Sequence, residues 1–166
     1  MATGKLTPVA QTALNESPRG ASLIYIVGRL NQGISRELRG LLRAWDLSVQ
    51  EYTSLSVLKL RPGLSNAQLA RRALVTPQSM LEILSKLESR GLVQRSVNPV
   101  RGRVIRNELS ESGRQVLEVA SPEVDELQDR IFSGLSEAQR SSVTGALSIV
   151  MNRYSNHGRS EKRSTV

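Results

Sequence analysis

The sequence predicts a mainly α-helical chain carrying one small β-hairpin. Apolar residues recur every three or four positions along most of its length, and helix-start signals stand before each such run. The rhythm breaks between Leu92 and Leu109, where two short segments flank Val97-Asn98-Pro99-Val100-Arg101-Gly102, which is turn material.

Residues 1–17 are polar and without a period, and read as a mobile arm. Ser17-Pro18 fits a cap and a first helical position. Leu23, Ile26, Leu30, Ile34, Leu38, Leu41 and Trp45 then mark one long amphipathic helix. Gly28, Gly33 and Gly40 each weaken it by about 1 kcal/mol relative to Ala, so it is expected to lean on close packing. Ser48-Val49-Gln50-Glu51 is a capping box that opens a second helix, through Leu55 and Leu58 to Leu60. Arg61-Pro62-Gly63-Leu64 stops it and turns. Ser65 and Gln68 form another box at the start of a short third helix through Leu69, Ala70 and Leu74. Thr76-Pro77 begins a fourth helix that runs to Arg90, with Gly91 as the left-handed residue after it. Leu92–Ser96 and Arg103–Leu109 make the hairpin. Ser110 caps a fifth helix bearing Leu117, Ala120, Val124, Leu127 and Ile131, which Pro122 should bend or interrupt. Ser136 and Gln139 box a sixth, with Val143, Ala146, Leu147, Val150 and Tyr154 on its apolar face. From Ser155 the chain turns polar and basic again, and residues 156–166 read as a tail.

On a helical wheel the fourth helix has two unlike faces. Met80, Ile83, Leu84 and Leu87 cover one, while Gln78, Ser79, Glu82, Ser85, Lys86 and Ser89 cover the other. Glutamine and serine, more than the Glu and Lys of an ordinary solvated face, suit hydrogen bonding to base edges in a major groove. A short helix, a tight turn and such a second helix make a helix-turn-helix, and the hairpin supplies a wing.

The charge follows that module. The 166-residue chain has 23 Lys and Arg against 15 acids, a net +8, which points to a polyanionic partner: nucleic acid or an anionic membrane surface. From Arg61 to Arg114 ten basic residues face four acids, whereas from Gln115 to Gln139 six acids face Arg130 alone. Cations concentrated beside a reading helix are what phosphate contacts need. Arg101-Gly102-Arg103 at the hairpin tip suits a minor groove or its phosphates. Ser65, Asn66, Thr76, Pro77, Gln78, Ser79, Glu82, Lys86, Arg95, Arg101, Gly102 and Arg103 are the candidate DNA-binding residues. Glu82 has two readings: an acceptor for a cytosine amino group, or a partner for Lys86 one turn on.

Composition narrows the rest. At 39% hydrophobic and 23% charged the chain is globular, and with 3% aromatics its core must be built from Leu, Val, Ile and Ala. It has no cysteine, and its one histidine is His157, so disulfides, thiolate zinc and histidine-rich metal sites are excluded. No glycine-rich phosphate loop, histidine base or nucleophile elbow occurs, so no catalysis and no cofactor are expected. The N-terminus has no apolar signal core, and no apolar run approaches the roughly 18 residues of a membrane span. A soluble, cytoplasmic protein without a membrane partner is expected.

Ala70 to Arg95, with its core Leu87-Glu88-Ser89-Arg90-Gly91-Leu92-Val93-Gln94-Arg95, then Gly102-Arg103 and Leu109-Ser110-Glu111-Ser112-Gly113, resembles the multiple-antibiotic-resistance-regulator (MarR) family in element order over residues 20–155. The resemblance implies a winged helix-turn-helix plus a helical dimerisation region. Residues 18–47 and 110–155 would form the dimerisation region and residues 48–109 the DNA-binding domain. It implies a homodimer on double-stranded DNA with a pseudo-palindromic operator, acting as a repressor released by a small aromatic or phenolic effector. By the same analogy Trp45 and Tyr52 would wall an effector pocket, and Arg29, Arg36 or Arg39 would meet a ligand carboxylate. The wing lacks the family's aspartate before its tip arginine, and the cysteine of peroxide-sensing relatives is absent. The dimer also has a local argument: the first and last helices carry apolar faces that the module between them is too small to cover. The alternative is a winged-helix module used for protein contacts or for non-specific nucleic-acid binding, without ligand control.

Overall fold

The computed structural model describes residues 22–97 and 105–160. Its elements are α1 (Leu23–Leu42), a 3-10 turn (Arg43–Trp45), α2 (Val49–Leu60), α3 (Asn66–Ala73), α4 (Pro77–Ser89), β1 (Val93–Val97), β2 (Ile105–Leu109), α5 (Glu111–Ile131) and α6 (Glu137–Ser160). They fall into two units, one ending at Leu127 and one beginning at Gln128. The expected mainly helical fold with one hairpin is present. The N-terminal arm, the Ser17-Pro18 start and the Arg101-Gly102-Arg103 wing tip lie outside the described residues.

Three reciprocal caps place the helix starts where the sequence sets them. The Glu51 carboxylate accepts from the Ser48 N–H at 2.7 Å, and the Gln68 and Gln139 amide oxygens accept from the Ser65 and Ser136 N–H at 2.9 and 2.8 Å. Each serine hydroxyl in turn accepts from the backbone three residues on. The described start of α1 is capped by Ser22, whose hydroxyl accepts from the Ile24 N–H at 3.3 Å.

The core of the first unit is leucine-rich, as a chain poor in aromatics requires. Leu42, Leu55, Leu69, Met80, Leu84, Leu87 and Leu117 are each at most 1% exposed. Trp45 and Tyr52 pack against this cluster. Of the α1 stripe, only the second half joins it: Leu42 is wholly buried and Leu38 and Leu41 lie against it, while Leu23, Ile26 and Leu30 are exposed. Among the described residues, no heavy atom beyond the chain neighbours and the helix's own backbone lies within 4 Å of where a Cβ would stand at Gly28, Gly33 or Gly40. The close packing expected of α1 is therefore not supplied by the described residues of this chain.

One expectation is narrowed and one is corrected. α5 runs unbroken through Pro122, so the proline does not interrupt it. Leu117, Ala120 and Leu127 are all buried, and two fully buried leucines outweigh the roughly 3 kcal/mol that an interior proline costs. α6 continues to Ser160, past the Ser155 boundary, because no proline follows Pro122 and each further residue adds a helical hydrogen bond.

The wing is anchored at its base. β1 and β2 pair antiparallel from Val93↔Leu109 to Val97↔Ile105. The stretch before α3, expected only to turn, also lies along β2. Asn107, 1% exposed, donates from its backbone and side chain to the Leu64 carbonyl at 3.0 and 2.8 Å, and accepts from the Gly63 N–H at 3.1 Å. At the other end, Ser110 bonds the Gly91 carbonyl and caps α5 by accepting from the Gly113 N–H at 3.0 Å. A Cβ on Gly113 would stand 2.1 Å from the Leu92 carbonyl oxygen, so only glycine lets α5 start this close to the end of α4.

Candidate nucleic-acid interface

α3, a three-residue turn and α4 form the helix-turn-helix. Leu74, at φ 56° in the left-handed region, ends α3, and Thr76 caps α4 by accepting from the Ser79 N–H at 3.0 Å. The Asn66 amide donates to the Pro77 carbonyl at 3.1 Å, which brings the N-terminal ends of α3 and α4 together. Both ends carry partial positive charge. The Gly91 junction fixes the far end of α4. Arg90 adds a latch: its guanidinium donates to the Asp46 and Trp45 carbonyls at 2.6 and 3.0 Å, tying α4 to the bend between α1 and α2.

This anchoring leaves one face of α4 outward. Met80, Leu84 and Leu87 are buried and Ile83 is half-buried, while Gln78, Glu82, Ser85, Lys86 and Ser89 are exposed. The wheel reading of α4 holds for these residues; Ser79, placed on the same outer face, is half-buried against Thr76. No Glu82–Lys86 pair forms; among the described residues neither has an ion-pair partner. On an open helix surface such a pair gains only about 0.3–0.5 kcal/mol, too little to hold two long side chains.

The remaining candidates divide by what they touch. Ser65, Asn66, Thr76 and Ser79 are engaged in caps and the helix–helix tie, with the Thr76 and Ser79 hydroxyls 2.8 Å apart; Pro77 is exposed at the first position of α4. Arg95 is ion-paired. Its Nε lies 3.1 Å from Glu88 and its side chain is 23% exposed, because β1 follows directly on α4 and comes back beside its last turn. Arg106 and Arg114 also bond backbone carbonyls, of Gly63 and Leu109. Arg61, Arg71, Arg72 and Lys86 are exposed and, among the described residues, unpaired.

The effector candidates have different surroundings. Arg39 lines a cavity of about 260 Å³ with Ser35, Arg43, Leu47, Ser48, Val49 and Gln50. Arg29 stacks on Tyr25, its guanidinium 5.9 Å from the ring centre, and Arg36 is exposed. The Tyr52 hydroxyl lies 3.5 Å from Ser121, and Trp45 packs on the core. Sequence reasoning missed Arg90, Asn107 and Leu81. Asn107 was findable as a polar residue in register between Ile105 and Leu109, and Leu81 as an apolar residue beside Ser85 on the wheel.

A model of the MarR family matches residues 45–103. The HTH-type transcriptional repressor Rv2887 of Mycobacterium tuberculosis is 34% identical over 120 residues, covering 72% of this chain and 86% of the relative. The chain belongs to the MarR family. This MarR-family chain is accordingly a transcriptional regulator and not an enzyme. Two crystal structures of Rv2887 resemble it in three dimensions. The complex with DNA has a TM-score of 0.63 at 31% identity, covering 78% of this chain and 98% of that one. The complex with salicylic acid has a TM-score of 0.64 at 32% identity, covering 78% and 96%. Among the described residues no helix is long and apolar enough to cross a membrane.

Proposed function

We propose that this chain is a dimeric repressor that reads a pseudo-palindromic operator with the outer face of α4 and is released by a small aromatic acid. One observation carries the reading: α4 is clamped at both ends and along its apolar side, yet presents Gln78, Glu82, Ser85 and Lys86 to solvent. A helix held rigidly with hydrogen-bonding side chains outward fits a major groove, and Gln78 suits the N6 and N7 edge of adenine. Arg61, Arg71, Arg72 and Lys86 stand ready for phosphates, and the wing adds Arg101 and Arg103. Arg95 serves by bracing the wing against Glu88 rather than by touching DNA.

The dimer rests on what is left bare. Leu23, Ile26 and Leu30 on α1, and Val143, Leu147 and Val150 on α6, are all more than two-fifths exposed. Two-fold pairing through these helices covers them, and sets two reading helices about 34–36 Å apart, one turn of DNA. The effector reading rests on Arg39 and Arg43 beside a cavity of about 260 Å³, and on the salicylic acid bound by Rv2887.

The test is a salt series of binding isotherms on DNA flanking the chain's own gene, against a shuffled sequence of the same length, repeated with salicylate. The reading requires a large preference for the native sequence, a steep loss of affinity with salt, and weakening by salicylate. Equal affinity for both DNAs would defeat the regulatory site, and indifference to salicylate would defeat the effector.

A further inference from the structure

Leu81 is out of place on the outer face of α4. It stands three positions after Gln78 and four before Ser85, with 52% of its surface exposed. It belongs neither to the core nor to the half-buried residues packed against the core. Met80, Leu84 and Leu87 already hold the helix down, so the fold does not use Leu81.

A leucine side chain has no hydrogen-bond donor or acceptor. Set among Gln78, Glu82 and Ser85, it can contribute only apolar contact. Along the floor of a major groove the base edges offer one apolar group for that contact, the C5-methyl of thymine. Residues three apart on a helix share a face and lie about 4.5 Å apart along its axis, within one or two base-pair steps of about 3.4 Å.

Resting on the reading of α4 as the DNA-reading helix, we infer that Leu81 is a specificity-determining residue that seats against a thymine methyl in each half-site. Its thymine lies within one or two base pairs of the pair read by Gln78. Gln78 discriminates through hydrogen bonds and Leu81 through shape and dehydration, so the two select different features of the same short stretch. Leu81 then explains its own exposure: its apolar surface is covered only when DNA is bound.

Uracil provides the test, because it keeps every hydrogen-bonding group of thymine and lacks only the methyl. Each thymine of an operator selected by the full chain is replaced in turn by deoxyuridine, and binding is measured for the wild type and for Leu81→Ala. The wild type should lose about fourfold in affinity at one position of a half-site, and about fifteenfold when both half-sites are changed. Leu81→Ala should melt at the wild-type temperature and bind the thymine and uracil operators alike. Equal wild-type affinity for every uracil operator, or a full thymine preference kept by Leu81→Ala, overturns the assignment while leaving the reading helix intact. Failure to select any operator overturns both.

Discussion

The apolar stripes of α4 and of the first half of α1 share the same three-and-four spacing, yet they end in different environments. Met80, Leu84 and Leu87 are at most 1% exposed, whereas Leu23, Ile26 and Leu30 are 78%, 45% and 42% exposed. Periodicity states that a face is to be buried, but not by what. In α4 the cover comes from the same chain, which fixes the helix and leaves its polar side free. In the first half of α1 the described residues supply none, which is why the proposed dimer places a second copy there.

Four changes break or sharpen that contrast. Gly113→Ala should do most: its Cβ would collide with the Leu92 carbonyl, displacing α5 from the end of α4, and a stability loss of about 4 kcal/mol or more is expected in denaturant melts. Leu84→Ala, in the covered stripe, should cost about 3 kcal/mol, by an amount independent of protein concentration. Leu23→Ser with Ile26→Ser, in the bare stripe, should leave the folded helix content near wild type but weaken self-association by about 30- to 100-fold in sedimentation equilibrium. Equal effects of these two changes on monomer stability would erase the distinction. Leu74→Gly should give the smallest shift, a gain of about 1 kcal/mol, since a 66% exposed leucine held at φ 56° loses little packing and sheds left-handed strain.

Local chemistry made much of this molecule legible. Caps are short-range, so Ser48, Ser65 and Ser136 marked helix starts that the structure reproduces. The two faces of α4 were legible for the same reason, since they depend on helix geometry alone. What escaped depends on contacts across many residues. Arg90 reaches the bend at Trp45 and Asp46, and Asn107 reaches Leu64; nothing near either residue announces its partner. The Arg95–Glu88 pair was not legible either, because it depends on β1 coming back beside the last turn of α4. The effector candidates Trp45, Tyr52 and the α1 arginines were joined by analogy alone; of them, Arg39 lines the cavity with Arg43.

The central claim is that the outward face of α4 selects bases. It is tested most directly by comparing the sequences enriched from a random DNA pool by the wild-type chain and by Gln78→Ala. The account predicts two inverted half-sites about one helical turn apart for the wild type, with preference lost at a single position per half-site in the variant. An identical motif from both proteins, or none from the wild type, would contradict it.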